Sequence, residues 1–301
     1  MRGSWVLRRT FSPNVGARPL VASNAQREGK FSLLASIRIR NSSFRRFSSF
    51  ERSSDIQDRV SPKLLEKVGA LGTQAAVDAL WLNNYPQPYI HGARPLKSGT
   101  KMVGSAVTLR FVPTRPDIAA AKPQGVNSPE YAAFELCGPS TVLVAAATGP
   151  WESVGGDIKF LRLYQKNCGG LVTDGSVRDT NMLQEYGFPV FSHSTTAKQG
   201  PAVMQPWGYN EVIECGGVAV RPNDVILGDD DGVVVIPRCM VEEVVRIATE
   251  RERIEEIIRS ELERNPGSPG IYYPFKQPVD PTSPLGGLLK SRGFVEGAKA
   301  K

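Results

Sequence analysis

The sequence predicts a single α/β domain in which helices flank a mixed β-sheet. Strands and helices alternate over residues 141–191, which is the pattern of layered α/β proteins. Four short strands follow over residues 211–236, and the turns between them are too short to hold helices, so hairpins are expected there. A charged helix with an apolar stripe, from residue 241 to about residue 263, completes the pattern.

The length and composition suit a globular chain. The 301 residues are 41% hydrophobic and 22% charged, so the chain can bury a sizeable core. The longest charge-free apolar stretch, between Glu135 and Glu152, is interrupted by Gly and Pro. Because this stretch falls short of the roughly 20 apolar residues of a membrane-spanning helix, no membrane association is expected.

Basic charge is concentrated at one end of the chain. The net charge is +7, yet residues 1–52 carry 11 Lys and Arg against two acids, which leaves −2 for the remainder. Because the residues after position 52 carry no excess positive charge with which to bind a polyanion, no nucleic-acid partner is expected. The Arg-rich and Ser-rich residues 1–52 are typical of a mitochondrial transit peptide, which predicts the matrix as the location. The alternative is a basic tail that carries no targeting signal.

The cysteines carry no ligand or disulfide pattern. Cysteines occur at four well-separated positions, Cys137, Cys168, Cys215 and Cys239, without a histidine at ligand spacing. Such usage predicts reduced core thiols and a reducing compartment, rather than a disulfide framework or a structural zinc site.

Local signals define the first half of the domain, which is expected to span residues 53–264. Apolar residues at mostly helical spacing predict two short helices within residues 63–82, with a break at Gly69 and Gly72. Pro and Gly predict a loop over residues 85–99, and residues that favour extended structure predict a strand over 102–112. A second Pro-rich loop is expected after that strand.

The second half begins with a buried strand at residues 141–147. The remaining signals predict a helix from Gly156 to Lys166, a strand at 170–174, a helix at 179–186 and strands at 188–191, 211–215, 218–220, 225–228 and 233–236. After the long helix, residues 265–301 are rich in Pro and Gly and are expected to form an irregular tail.

Residues suited to binding charged ligands follow two of these strands. Gly155 and Gly156 precede a helix, whose first N–H groups lack helical partners and can bind an anion. Arg178 and Asp179 lie at the carboxyl end of a strand, where α/β sheets bind ligands. Together these groups suit a small carboxylate bound beside a divalent cation. On spacing alone, a helix-capping Asp179 and an Arg178 paired with a surface acid are equally acceptable.

The chain resembles a known family in four motifs: Gly-Asp-Ile, Gly-Gly-Leu-Val-Thr-Asp-Gly-Ser-Val-Arg-Asp, Gly-Phe-Pro-Val-Phe and Gly-Asp-Asp-Asp-Gly-Val-Val-Val-Ile-Pro. They are similar to those of the RraA-like family (regulator of ribonuclease E activity), above all its class II 4-hydroxy-4-methyl-2-oxoglutarate/4-carboxy-4-hydroxy-2-oxoadipate aldolases. The resemblance covers about residues 64–260. It implies a fold of the swivelling β/β/α type and a homotrimer or homohexamer with sites at subunit interfaces.

The resemblance also implies roles for individual residues. Arg178 matches the arginine that binds the carboxylate and keto oxygens of a pyruvate unit, and Asp179 matches the ligand of the divalent metal, Mg²⁺ or Mn²⁺. Asp157, 21 residues before that arginine, matches an acid assigned to reach the metal through water. The backbone of Gly156, Asp157, Ile158 and Lys159 matches the loop whose amides hold the substrate carboxylate. In the family a neighbouring subunit's C-terminal helix donates a glutamate, for which the candidates are Glu250, Glu252, Glu255 and Glu256.

These residue types suit retro-aldol chemistry on a small 2-oxo acid. Cleavage of a 4-hydroxy-2-oxo acid leaves an electron pair on pyruvate, and a metal ion with Arg178 at the keto oxygen stabilises it without a lysine. Decarboxylation of oxaloacetate passes through the same enolate, so a metal-dependent aldolase with decarboxylase activity is expected. The alternative is a non-catalytic protein-binding regulator, because the family contains a ribonuclease inhibitor. Lys159 departs from the family pattern, which leaves the substrate's distal part open.

Other candidate residues have simpler explanations. His91 and His193 are the two histidines and lie far apart in the sequence, so structural roles are expected for both. The run Asp229–Asp231 precedes a glycine in a predicted hairpin, where turn formation explains it better than metal binding. Asp174 suits either the site or a capping role.

Overall fold

The structure is a computed structural model that describes residues 59–294. The predicted transit segment, residues 1–52, lies outside the described residues. The described strands are β1 (Arg94–Pro95), β2 (Met102–Pro113), β3 (Thr141–Ala146), β4 (Ser153–Gly155), β5 (Gly170–Val177), β6 (Val190–Thr195), β7 (Met204–Tyr209), β8 (Ile213–Cys215), β9 (Val218–Val220), β10 (Val225–Asp229) and β11 (Gly232–Ile236). The described α-helices are α1 (Pro62–Gly69), α2 (Thr73–Leu82), α3 (Pro129–Leu136), α4 (Asp157–Gln165), α5 (Thr180–Tyr186), α6 (Val241–Arg264) and α7 (Pro284–Ser291).

Nine of these strands form one mixed sheet in the order β1-β6-β5-β3-β2-β10-β11, with β4 beside β5 and β7 beside β2. The four neighbours β6, β5, β3 and β2 run parallel, whereas β10, β11, β7 and β1 pair antiparallel. The chain just before β1 bonds to the opposite end of the sheet, since the Ile90 amide donates to the Val233 carbonyl at 2.9 Å. The sheet is therefore nearly closed, and the prediction of an α/β fold with a mixed sheet and flanking helices is confirmed.

The apolar residues of the central strands match their burial in the sheet. All six residues of β3 are buried, as expected for a parallel strand that is covered on both faces. Leu143 and Ala145 pack on one face against helix side chains that include Phe134 and Phe160. Val142 and Val144 alternate with them and pack inside the curled sheet. A third cluster joins the apolar faces of α1, α2 and α6 to the outer face of β10 and β11.

The second Pro-rich loop was predicted without a helix, and the structure corrects this. Helix α3 begins there after Ser128, with Pro129 in its first turn, which is a common helix start. Its Ala133 and Phe134 are buried in the core, and this burial stabilises a helix of only eight residues. The strands β1, β4 and β7 were also not predicted, because two of them have two or three residues and β7 contains a proline.

The tail is not irregular throughout, which is a second correction. Helix α7 begins after Ser283, whose hydroxyl accepts a hydrogen bond from the Gly286 amide at 3.0 Å. Leu285 and Leu289 of α7 are buried against Ile254 and Ile258 of α6. These contacts attach the described part of the tail to the long helix and cover the C-terminal half of its apolar stripe.

Among the described residues, no helix is long and apolar enough to cross a membrane. Cys137, Cys168 and Cys215 are buried free thiols, as predicted, whereas Cys239 is exposed and is not a core residue. It lies in the short turn before α6, where the chain runs along the surface.

Candidate active site

Gly155 and Gly156, which connect β4 to α4, lie where the backbone packs too tightly against its neighbours for a side chain to fit. A Cβ atom on Gly155 would lie 2.6 Å from the ring of Phe160, a core residue of the same helix. A Cβ atom on Gly156 would lie 2.0 Å from Oδ2 of Asp179 and 2.9 Å from Cγ of Arg178. Because no side chain fits at Gly156, the backbone at the start of α4 lies directly against the Arg178-Asp179 pair.

Asp179 connects β5 to α5 in a left-handed backbone conformation, with φ 56° and ψ 41°. Asp is one of the few residues other than Gly that tolerates this region. Although Asp179 occupies the N-cap position of α5, its side chain makes no capping hydrogen bond to that helix. Instead, its Oδ2 accepts a hydrogen bond from the Asp157 amide at 3.3 Å. Asp179 therefore does not cap α5, the helix that it precedes, as the alternative had it; its carboxylate bonds the first amide of α4 instead.

Arg178 pairs within the site and not with a remote surface acid. Its Nε lies 3.2 Å from Oδ2 of Asp179, and its amide donates to the Gly155 carbonyl at 3.1 Å. The Arg178 and Asp179 side chains remain 42% and 37% exposed, so both can also contact a ligand. The carboxyl end of β5 therefore presents a cation and an anion side by side.

The first amides of α4 already donate to carboxylates of the chain itself. The Ile158 amide donates to Oδ1 of Asp157 at 2.7 Å, next to the bond between the Asp157 amide and Asp179. These N–H groups have no helical partners, and the helix dipole adds positive potential at this end. The side chain of Ile158 is exposed, so its contribution to the site is the backbone amide. The backbone amides at the start of α4 therefore already bind carboxylate oxygens in this structure.

Two depressions meet at this cluster. The smaller has a volume of about 140 Å³ and is lined by Gly156, Lys159 and Gln199. The larger has a volume of about 790 Å³, and its lining includes Met182 and Ala197 besides the polar residues Thr180, Asn181, Thr195 and Thr196. Asp157, Arg178 and Asp179 line both depressions. At about 30 Å³ per water molecule, the smaller depression has room for only a few atoms, while the larger lies in the range of small-molecule pockets.

Thr195, Thr196 and Gln199 are site residues that sequence reasoning missed. They lie at and beyond the carboxyl end of β6, which runs parallel to β5. A signal was available, because the carboxyl ends of neighbouring parallel strands form one ligand-binding edge. The polar run after the Phe-Pro-Val-Phe strand could have been assigned to this edge.

The Lys159 side chain points away from the amide loop. Its Nζ donates to both carboxylate oxygens of Glu130 in α3, at 2.7 and 3.0 Å. Glu130 is buried, and this burial raises the pKa of its carboxyl while the charge of Lys159 opposes the rise. The ammonium of Lys159 is therefore already paired with a carboxylate from another helix.

Asp174 and the aspartate run have structural partners. Asp174 accepts hydrogen bonds from the Ala147 and Gly216 amides at 2.8 and 2.9 Å, so it joins two loops. Burial raises the pKa of the Asp174 carboxyl, and the two amides counter part of that effect. Asp229 accepts from the amide and hydroxyl of Thr73 and caps α2, while Asp230 accepts from the Gly99 amide. Turn formation was predicted for this run, and Asp229 Oδ1 accepts the Asp231 amide at 3.1 Å; the cap on α2 was not predicted.

The histidines lie in aromatic contacts. The His193 ring meets Trp151 edge to face, with 5.8 Å between ring centroids, and His91 meets Tyr89 in the same way at 5.7 Å. A Cβ on Gly92 would clash with the His193 ring, so this backbone also packs against it. These contacts support the structural roles that the sequence predicts.

The four candidate glutamates lie on α6 and differ in their contacts within the chain. Oε1 of Glu252 accepts the Gly72 amide at 2.8 Å and so caps α2. Glu255 lies 3.2 Å from Arg251, and Glu256 lies 3.0 Å from Arg259 and is exposed. Glu250 lies 3.8 Å from Arg246. Donation of one of these side chains to a neighbouring subunit stays a prediction.

The donor atoms at the cluster suit a hard divalent cation. Asp179 and Asp157 offer carboxylate oxygens, and Mg²⁺ typically binds one or two carboxylates while keeping water and substrate oxygens as its other ligands. Within residues 59–294, no group of three or more His, Cys, Asp and Glu side chains could enclose a metal. A site that shares its cation with a substrate does not need such a cage.

Known proteins resemble this chain in both sequence and fold. The sequence matches the RraA-like family, described as Aldolase/RraA, over residues 73–235. A protein named as a putative 4-hydroxy-4-methyl-2-oxoglutarate aldolase from Halalkalibacterium halodurans is 31% identical over 167 residues, which is 54% of this chain and 72% of that protein. Protein DlpA of Legionella pneumophila is 26% identical over 219 residues, which is 71% of this chain but 34% of DlpA.

The fold is similar to that of a solved structure. The crystal structure of Streptomyces coelicolor RraAS2, described as an unusual member of the RNase ES inhibitor RraA protein family, has a TM-score of 0.60 and 30% sequence identity. The similarity covers 67% of this chain and 98% of that chain. The family predicted from the sequence motifs is therefore confirmed.

Proposed function

Since the chain belongs to the RraA-like family, we propose that it catalyses divalent-metal-dependent retro-aldol cleavage of 4-hydroxy-2-oxo acids, of the 4-hydroxy-4-methyl-2-oxoglutarate type, with release of pyruvate. We propose that it also decarboxylates oxaloacetate. One observation carries the proposal: the Asp179 carboxylate turns away from its own helix and lies against Arg178 and the start of α4. Asp179 bonds the first amide of α4, as a cap does, and it also lies beside Arg178 at the wall of both depressions, which is the arrangement that a cation and a 2-oxo acid would use.

The chain's own groups account for binding of the pyruvate part. On substrate binding, the amides at the start of α4 exchange the Asp157 and Asp179 oxygens that they hold in the free protein for those of the substrate carboxylate. The Arg178 guanidinium donates to the keto oxygen and to that carboxylate. These contacts orient the 2-oxo acid with its remaining carbon atoms toward the larger depression.

Bond cleavage places negative charge where Arg178 can stabilise it. When the bond between C3 and C4 breaks, its electron pair delocalises onto the former keto oxygen, beside the guanidinium. The proton of the 4-hydroxyl group must leave at the same stage. In this proposal Asp157, which lines both depressions, takes that proton directly or through water, and addition of a solvent proton at C3 of the enolate gives pyruvate.

Asp179 would hold Mg²⁺ or Mn²⁺ directly, and Asp157 would hold it through water. When bound, such a cation supplies Lewis acidity toward the carboxylate and keto oxygens of the substrate. Arg178 then has a second role, because its Nε lies 3.2 Å from Oδ2 of Asp179 and holds that carboxylate at the site.

The proposal is tested by pyruvate release from the intact protein. With oxaloacetate or 4-hydroxy-4-methyl-2-oxoglutarate and Mg²⁺, lactate dehydrogenase coupling should detect pyruvate well above the protein-free rate. Addition of EDTA should abolish this excess, and added Mg²⁺ should restore it. Pyruvate release that is absent, or that is unaffected by EDTA, would contradict the proposal.

A protein-binding regulator is the second candidate function, and the likeness to RraAS2 over 98% of that chain supports it. The two candidates differ in what they require of Arg178 and Asp179. A regulator needs no pairing of these side chains at a ligand-sized depression, whereas the aldolase does. The assay above therefore discriminates between the two.

We also propose that the protein is imported into the mitochondrial matrix. The proposal depends on the cationic, Ser-rich composition of residues 1–52, which suits import by a negative membrane potential. A fusion of these residues to a fluorescent reporter should colocalise with mitochondria, and a fusion with its arginines changed to glutamine should not. A cytosolic reporter in the first case would reject import.

Assembly into a trimer or hexamer is proposed as well, because a subunit-interface site would allow α6 of one chain to reach another. Light scattering of the intact protein should give three or six times the 32.8 kDa chain mass. A monomer in solution would contradict it.

A further inference from the structure

We propose that Glu130 is a positioning residue of the cation site, because it holds the Lys159 ammonium away from the Asp157 and Asp179 carboxylates. The inference rests on the proposed function, in which these two aspartates hold Mg²⁺ or Mn²⁺. It adds to the site a residue on a different helix, 29 positions before Lys159. The contribution of Glu130 is to keep two carboxylates available for the cation.

Lys159 lies close to the residues that are proposed to hold the cation. It follows Asp157 by two positions in the first turn of α4, and Lys159, Asp157 and Asp179 all line the smaller depression. A lysine ammonium sits on a flexible four-carbon stem and has three N–H donors, which form strong hydrogen bonds to carboxylates. Left unpaired, the Lys159 ammonium would therefore compete with a divalent cation for the aspartate oxygens.

Glu130 binds this ammonium with both of its carboxylate oxygens. The Nζ atom of Lys159 donates to Oε1 and Oε2 of Glu130 at 2.7 and 3.0 Å. The Glu130 side chain is only 6% exposed, whereas that of Lys159 is 26% exposed. The pair joins α3 and α4 of one chain, so it forms whatever a neighbouring subunit adds to the site.

Other contacts already hold α3 against α4. Phe134 of α3 and Phe160 of α4 are both buried, with their ring centroids 6.3 Å apart. Glu135 of α3 pairs with Arg162 and Lys166 at the same helix contact. A buried charge costs free energy, and a buried ion pair is weak evidence of stabilisation. Control of the direction of the ammonium is therefore the role that these contacts leave for the buried pair.

Mn²⁺ binding to the intact protein, followed by the EPR signal of the free ion, tests the inference without turnover. Glu130→Gln removes the charge that holds Lys159, so the Kd for Mn²⁺ should rise about tenfold, as expected when a charge-assisted hydrogen bond to the ligands must first be broken. Adding Lys159→Met to Glu130→Gln should return the Kd to within about twofold of the parent value. A purely structural loss would not be reversed by removing a lysine.

Glu135→Gln is the matched control. It removes an acid of the same helix that pairs with Arg162 and Lys166, neither of which is among the described residues that line the two depressions. Its Kd should equal that of the parent protein. If circular dichroism shows that Glu130→Gln is unfolded, Glu130→Met, which places an apolar side chain of similar length in the buried position, gives the same measurement.

Three results would overturn the inference. The first is an unchanged Kd in a folded Glu130 variant, and the second is a Kd that stays raised when Lys159→Met is added. The third is failure of both Glu130 variants to fold, because the pair would then be needed to hold the helices together.

Failure of the proposed function can be told apart from failure of the inference. Pyruvate release that depends on Mg²⁺, with the same Mn²⁺ affinity in all variants, rejects the role of Glu130 alone. The expected pattern of Mn²⁺ affinities without pyruvate release rejects the aldolase and leaves Glu130 as a positioning residue of a cation site. A parent protein that binds no Mn²⁺ rejects the cation of the proposed function, and the inference falls with it.

Discussion

Asp179→Asn is expected to lower kcat/KM for pyruvate release by about a thousandfold, because it removes the charge that would hold the cation at the start of α4. Asn is the informative replacement. The backbone of Asp179 is left-handed, at φ 56°, and Asn tolerates this conformation whereas Ala is strained in it. The amide oxygen of Asn can still accept the Asp157 amide, so the local structure is preserved.

The measurement is the coupled pyruvate assay, with the thermal midpoint from circular dichroism as a check on folding. Glu185→Gln is the matched control, since Glu185 is an exposed carboxylate on α5, the helix that follows Asp179. Both variants should melt within a few degrees of the parent protein, because neither removes a buried partner. A folded Asp179→Asn protein that keeps more than about a tenth of the parent activity would rule out Asp179 as the metal ligand.

Gly156→Ala should reduce kcat/KM by about a hundredfold, because the added methyl group would displace Arg178 and Asp179, which are proposed to bind substrate and cation. The new Cβ would lie 2.0 Å from Asp179 Oδ2 and 2.9 Å from Arg178 Cγ, so both side chains must move. The backbone of Gly156 is extended, at φ −145°, and Ala adopts it without strain. The expected loss therefore reports on the site and not on the turn.

Gly138→Ala is the control for this variant, since a Cβ at Gly138 would meet no atom within 4 Å. Kinetics and thermal midpoints of the two glycine variants, measured side by side, separate crowding at the site from any general effect of the extra methyl group. Equal activities in the two variants would show that Asp179 and Arg178 need not lie where the structure has them.

Periodicity predicted the elements that are long or wholly buried. The apolar run of β3 and the stripe of α6 were found because burial imposes a regular pattern on the residues that face the core. Helix α3 was missed because it has only eight residues among prolines, and burial of Phe134 stabilises it more than any local signal does. The helix in the tail was missed for the same reason, since Leu285 and Leu289 have a partner surface only on α6.

At the site, strand ends predicted which residues meet but not how they point. Arg178 and Asp179 were assigned to a predicted strand end, whereas the position of Gly156 beside them depends on β4, which runs parallel to β5 and was not predicted. The direction of the Lys159 side chain depends on Glu130, which lies 29 positions earlier on a helix that was not predicted. Its pairing with a buried acid could not be deduced from either residue alone.

The amino-acid sequence by itself determined the layered α/β class, the family, and the positions of the arginine, the two aspartates and the glycines on which the proposed chemistry depends. These properties depend on short-range patterns in the sequence, namely the spacing of hydrophobic residues, the turn residues and the strand ends. Three features were decided only by the tertiary structure. The Asp179 carboxylate bonds an amide of α4 and not its own helix, and threonines at and just after the end of β6 line the larger depression. The Lys159 ammonium pairs with Glu130. Those features arise from contacts between residues far apart in sequence, where packing and charge pairing select one side-chain arrangement out of several that the local sequence allows.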